Sequence, residues 1–265
     1  MKLLAASAVL ALATTVLAMP ADEFEKRELE KRATCTIFGF TYPCASATAT
    51  TTTTRASATT TTGGATTTAT TAPSTGGASR YTTGSSATDI TSNTGCTELT
   101  VIFARGTSEG GNIGSIAGPP MFKQLLSDLG ASSLTLQGVD YPADAAGNAN
   151  CGAAGGADMA SKANAILSRC PNTKLALSGY SQGACVVHNA VQSQGLAASK
   201  VAAVVLFGDP FNGQSVGSVP ASKVLEICAP GDTICRGPAG SAGHLSYGNN
   251  AAQAATFIEN TTGVH

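Results

Sequence analysis

Of the 265 residues only 12% are charged, the formal net charge is −1, and tryptophan is absent. So little one-signed charge excludes a nucleic-acid partner held by a basic face. Beyond the first residues no stretch is apolar for long enough to span a bilayer, which argues against a transmembrane anchor.

Residues 1–18 carry a basic Lys2, an apolar run from Leu3 to Leu17 and small residues toward Ala18. That pattern predicts a signal peptide and a secreted, extracellular protein. Residues 19–32 hold the dibasic pairs Lys26-Arg27 and Lys31-Arg32, and read as a propeptide cut by a kexin-like protease. In residues 33–45, Cys35 and Cys44 flank three aromatics. So short a segment cannot bury a core, and it reads as a stapled extension in preference to a miniature adhesive module. Residues 46–95 collapse to Thr, Ser, Ala and Gly, with Arg55, Arg80 and Asp89 the only charges. They predict an unfolded, O-glycosylated linker.

Residues 96–265 form the globular part. Strand-like apolar runs cover 99–104, 134–139, 174–177, 201–207 and 223–228. Helical stretches cover 120–129, 156–169, 184–191 and 249–259. Strands buried on both faces and alternating with helices predict an α/β fold: a three-layer α/β/α sandwich around a mainly parallel sheet of about five strands. Asn260-Thr261-Thr262 is an N-glycosylation acceptor.

The stretch Gly179-Tyr180-Ser181-Gln182-Gly183 lies between a predicted strand and a predicted helix. Gly-x-Ser-x-Gly in that setting is a nucleophile elbow, a sharp turn that lifts the serine hydroxyl to a helix N-terminus. A serine needs a neighbouring base. His188 lies seven residues further along the same helix, about 10 Å along its axis, and reads as a polar residue of that helix. His265 is the chain end. By elimination the base is His244, in the loop before the last helix.

Two aspartates compete to orient it. Asp209 follows the strand after the elbow helix, and as Asp-Pro it reads as a turn former. Asp232 follows the next strand, between Cys228 and Cys235, where this order of elements usually places its acid; Asp232 is chosen. The backbone N–H of Gln182 and the Arg105-Gly106-Thr107-Ser108 turn are placed to hold an oxyanion, Thr107 with its N–H and its hydroxyl. Eight cysteines in an exported chain predict disulfides, and His188, His244 and His265 show no metal-ligand spacing, so neither metal nor cofactor is expected.

Ala104-Arg105-Gly106-Thr107, Gly179-Tyr180-Ser181-Gln182-Gly183, Cys228-x-x-Gly-Asp-x-x-Cys235 and His244-Leu245-x-Tyr247-Gly248 together resemble the fungal cutinase family of serine esterases. The match covers Cys96 to Gly263 in order and spacing. The resemblance implies a small α/β-hydrolase without a large lid, Ser181, Asp232 and His244 as its triad, and Thr107 and Gln182 as its oxyanion hole. It also implies disulfides Cys96–Cys170 and Cys228–Cys235. Cys151 and Cys185 are additional to the pattern and either pair or stay apart.

The expected activity is hydrolysis of cutin-like polyesters and small acyl esters by a monomer. The alternatives are an acetylxylan esterase and a non-catalytic cell-wall glycoprotein. The loop Arg236 to Gly243, RGPAGSAG, offers no aliphatic side chain beside the histidine, which favours short acyl groups.

Overall fold

The structure, a computed structural model, describes residues 76–236 and 243–265 and, as backbone, 34–37 and 40–43. The expected signal peptide, dibasic sites, Cys35–Cys44 pairing and first part of the Thr-rich segment lie outside the described residues, as does most of the small loop before His244. Strands β1 (Thr34–Ile37) and β2 (Phe40–Pro43) pair antiparallel, with Cys35 opposite Tyr42.

Five parallel strands make the central sheet: β3 (Leu99–Ala104), β4 (Leu134–Gly138), β5 (Lys174–Tyr180), β6 (Val201–Phe207) and β7 (Val224–Ile227), in the order β4-β3-β5-β6-β7. Every residue of β3 and β4, and all of β5 after Lys174, is buried. Such strands must be apolar on both faces, and Val201-Ala202-Ala203-Val204-Val205-Leu206-Phe207 is that kind of run. Helices α1 (Gly118–Leu129) and α5 (Ala251–Thr262) cover one face, where Phe122 packs edge-on against Phe103. Helices α3 (Ala153–Arg169) and α4 (Gln182–Gln192) cover the other. A short helix, α2 (Ala145–Ala149), stands before α3. This is the expected α/β/α sandwich of the α/β-hydrolase type.

The chain leaves β3 toward β4, then returns past β3 to β5 and continues outward. The adjacent C-terminal ends of β3 and β5 therefore form the crevice where open α/β sheets bind ligands. Cys96–Cys170 ties the entry of β3 to the end of α3, and Cys228–Cys235 closes the loop after β7.

The folded part begins before Cys96, which corrects the boundary drawn from composition. Tyr81, Ala87 and Ile90 are buried, and Thr88 bridges to Gln137 at the edge of β4. Asp89 is the anchor: its carboxylate accepts from the Ser79 hydroxyl at 2.6 Å, the Arg80 N–H at 2.9 Å and the Leu136 N–H at 2.8 Å. One carboxylate and three apolar side chains fix a segment that has no helical or strand period, which is why its composition read as linker.

Candidate active site

Ser181 sits at φ 56°, ψ −118°, a strained conformation for a residue with a side chain. The crowding around it explains the two glycines. A Cβ at position 179 would stand 2.0 Å from the Gly183 carbonyl oxygen, and one at position 183 would stand 2.0 Å from that of Ala104. The turn is held because the Ser181 N–H donates to the Phe207 carbonyl at 2.9 Å. Helix α4 starts at the next residue, so its unbonded N–H groups face the hydroxyl.

The structure brings Ser181, His244 and Asp232 into one line. His244 Nε2 lies 2.9 Å from Ser181 Oγ, and His244 Nδ1 lies 2.8 Å from Asp232 Oδ2. An ionised carboxylate only accepts, so Nδ1 carries the proton and Nε2 is left to accept from the serine. Asp232 is fully buried. Burial raises its pKa, but hydrogen bonds from His244, Tyr247 and the Ile234 N–H outweigh burial and hold it below the usual carboxylate value. Cys228–Cys235 spans its loop, and Cys228 and Cys235 bracket the acid by sequence as well.

Two tyrosines that sequence reasoning did not assign complete the support. Tyr247, buried, donates to Asp232 Oδ2 and accepts from the Ala229 N–H at 3.2 Å. The Tyr180 hydroxyl donates to the His244 carbonyl at 2.7 Å, and its ring lies 5.0 Å from the imidazole. Burial raises the pKa of both phenols, so both remain donors at neutral pH. Both stand inside sequence motifs of the site, Tyr180 in Gly179–Gly183 and Tyr247 in His244–Gly248.

On the β3 side, Arg105 fixes the turn by donating to the Glu109 and Tyr141 carbonyls at 2.8 and 2.6 Å. The Glu109 carboxylate accepts from the Gly106 N–H at 2.8 Å. Thr107 meets Gln182 through their side chains: Gln182 Nε2 donates to Thr107 Oγ1 at 3.2 Å and to Asn148 Oδ1 at 2.7 Å. The Thr107 hydroxyl itself donates to Asn148 Oδ1 at 3.2 Å, so at rest its proton is engaged. Asn148, on α2, is a third residue that the sequence did not single out. The arrangement can deprotonate a serine, orient the imidazole and place N–H donors beside a developing oxyanion, which is the chemistry of acyl transfer.

His188 lies on α4 as expected. It is buried there, and its Nε2 lies 2.8 Å from Asp209 Oδ2. Asp209 does form a turn, accepting from the Phe211 N–H at 2.9 Å, but it also satisfies this histidine. Among the described residues, His188, Asp209 and Glu226 are the one set of three His, Cys, Asp or Glu side chains whose ligand-type atoms lie within 4.8 Å of one another. No helix of the described residues is long and apolar enough to cross a membrane. Among the described residues, the exposed large apolar side chain is Leu245, 72% exposed and adjacent to His244.

Comparison with known proteins places the chain in a family. The family model described as Cutinase matches residues 95–262. Cutinase 4 of Emericella nidulans is 48% identical over 180 residues, covering 68% of this chain and 78% of that one. A Trichoderma reesei cutinase solved with a phosphonate inhibitor superposes with a TM-score of 0.58 at 43% identity, over 63% of this chain and 77% of that one. An acetyl xylan esterase structure gives 0.52 at 26%, over 63% and 99%. A strained serine at the end of the third sheet strand of a five-stranded parallel sheet, and a sequence matched from residue 95 to 262, lead to one assignment: the chain belongs to the cutinase family.

Proposed function

We propose that this serine esterase acts outside the cell on cutin-like polyesters and short acyl esters, with Ser181, His244 and Asp232 as its catalytic triad. The observation that carries the reading is the unbroken line Ser181–His244–Asp232, at 2.9 and 2.8 Å, on a strained turn at a helix N-terminus. Ser181 Oγ attacks the ester carbonyl carbon while His244 Nε2 takes its proton. The backbone N–H groups of Gln182 and Thr107 receive the oxyanion. The intermediate collapses to an acyl-enzyme, and His244 returns the proton to the departing alcohol. Water then repeats the sequence and frees the acid and Ser181. Asp232 holds the imidazole in the tautomer that can accept. Export rests on the signal-like residues 1–18, and the Thr-rich segment acts as a glycosylated spacer for work at an insoluble surface.

A second reading, deacetylation of xylan, is favoured by the small loop before His244, which suits an acetyl group better than a long chain. One experiment separates the two: acyl release from acetate to palmitate esters, from cutin and from acetylated xylan, beside Ser181→Ala. Cutin release with an optimum at about two to six carbons supports the first reading, since each methylene gains only where an apolar wall receives it. Acetate release from xylan with no attack on cutin supports the second. Activity retained by Ser181→Ala would remove both.

A further inference from the structure

Among the described residues, two cysteines stand outside both disulfides. Cys151 and Cys185 are buried, and they lie against each other under Phe211. The neighbouring Cys151 thiol and burial raise the Cys185 pKa and keep that thiol protonated. The elements they join matter. Cys185 is in the first turn of α4, three residues beyond Gln182. Cys151 ends the segment that carries Asp144 and Asn148, whose carbonyl and side-chain oxygens accept from Gln182 Nε2 at 2.7 Å each. Cys151 (φ 57°) and Gly152 (φ 65°) are both left-handed, which turns the chain sharply at the point of contact with α4. Two buried thiols can be mere small apolar fillers. Here, however, they meet across 34 residues of chain, where the segment of Asp144 and Asn148 packs on the nucleophile helix.

We propose that Cys151 and Cys185 are the site of a third disulfide, which staples the segment supporting Thr107 and Gln182 to α4. The functional half of this rests on the esterase reading above; the bond itself does not. The oxidant is a small-molecule disulfide, such as oxidised glutathione. Cys151, the more exposed of the two at 5% against 2%, loses its proton and attacks one sulfur of that disulfide, expelling one small thiolate. Cys185 then gives up its proton and attacks the Cys151 sulfur of the mixed disulfide, expelling the second. Two protein thiols are oxidised and one small disulfide is reduced to two thiols.

The test uses the full chain, secreted and purified without reductant, alkylated with iodoacetamide in denaturant and digested unreduced for mass spectrometry. The expected product is a linked peptide pair containing Cys151 and Cys185, with neither alkylated. Both residues alkylated, even after incubation with oxidised glutathione, would overturn the pairing. In parallel, C151S/C185S is compared with the linked protein. The double variant should melt about 5 to 10 °C lower, as expected for losing a crosslink of this span. It should also hydrolyse a soluble acetate ester about fivefold less efficiently, through a looser oxyanion segment. Equal melting and equal turnover would overturn the stapling role. A linked wild-type chain that hydrolyses no ester would instead count against the esterase reading and leave the disulfide standing.

Discussion

Tyr247 donates its phenolic hydrogen to Asp232 Oδ2, the same oxygen that accepts from His244 Nδ1. The oxygen that orients the imidazole is thus itself held by a buried side chain fifteen residues further on. Tyr247→Phe keeps the ring packing and removes only that donor. A hydrogen bond to a charged group contributes about 1.5–3 kcal/mol, so turnover should fall by roughly 10- to 100-fold. Asp232 also loses one of the groups that hold its pKa down, so its carboxylate protonates at higher pH and the acid limb of kcat/KM moves upward. A profile from pH 3 to 8 checks both; an unmoved limb would make Tyr247 a packing residue only.

Replacing Cys228 and Cys235 together by serine should cost activity far more than secondary structure. The bond spans the loop that carries Asp232, and a displacement of about 1 Å in a catalytic group can cost about a hundredfold in rate. Circular dichroism and ester turnover, measured on the same sample, decide it. Unchanged turnover would mean that Tyr247 and the Ile234 N–H suffice to place the carboxylate.

His188→Ala should act on stability. It strips Asp209, which is wholly buried, of its side-chain partner, and leaving a buried polar group short of a partner costs about 1–3 kcal/mol, more where the group is charged. The melting temperature should drop steeply while the remaining folded enzyme keeps a near-normal kcat. His188→Ala with Asp209→Asn should recover part of the loss. A variant that melts like wild type would show that Asp209 is solvated after all.

Glu226 gives the fold a pH-dependent weak point beside the same pair. Burial, then the charge of Asp209, raises its pKa to about 7 from 4.5. Between about pH 4.5 and 7 the folded state therefore holds a proton that the unfolded chain has released. Its contribution is fully present below about pH 4.5 and is lost as pH rises through 7. Glu226→Gln should stabilise the protein at pH 8 by about 1 kcal/mol, a figure already reduced for solvent screening of this half-buried group, and by nothing measurable at pH 4. Denaturant midpoints at the two pH values test it.

Leu245 is 72% exposed and directly follows His244 in the chain. Leu245→Asn should slow hydrolysis of an insoluble polyester film several-fold and leave a water-soluble acetate ester within about twofold, since only the film offers apolar area to cover. Equal losses on both substrates would place Leu245 in the chemistry rather than at the surface.

The sequence by itself determined the sheet, because strands buried on both faces must be written as continuous apolar runs such as those of β3 and β6. It also determined Ser181, because the elbow leaves no room for a Cβ at 179 or 183. His244 followed by elimination, and Asp232 by its place after β7. Tertiary structure decided what has no local period. Asp89 recruits residues 79–94 into the domain through bonds to Ser79, Arg80 and Leu136, contacts that composition does not encode. His188 pairs with Asp209 twenty-one residues away, and only the docking of α4 beside the end of β6 brings them together. Cys151 and Cys185 are two thiols in a list until α4 meets the turn after α2. Tyr247 and Asn148 gain their roles the same way, through hydrogen bonds between segments whose mutual placement is set by the sheet, and not by any residue within them.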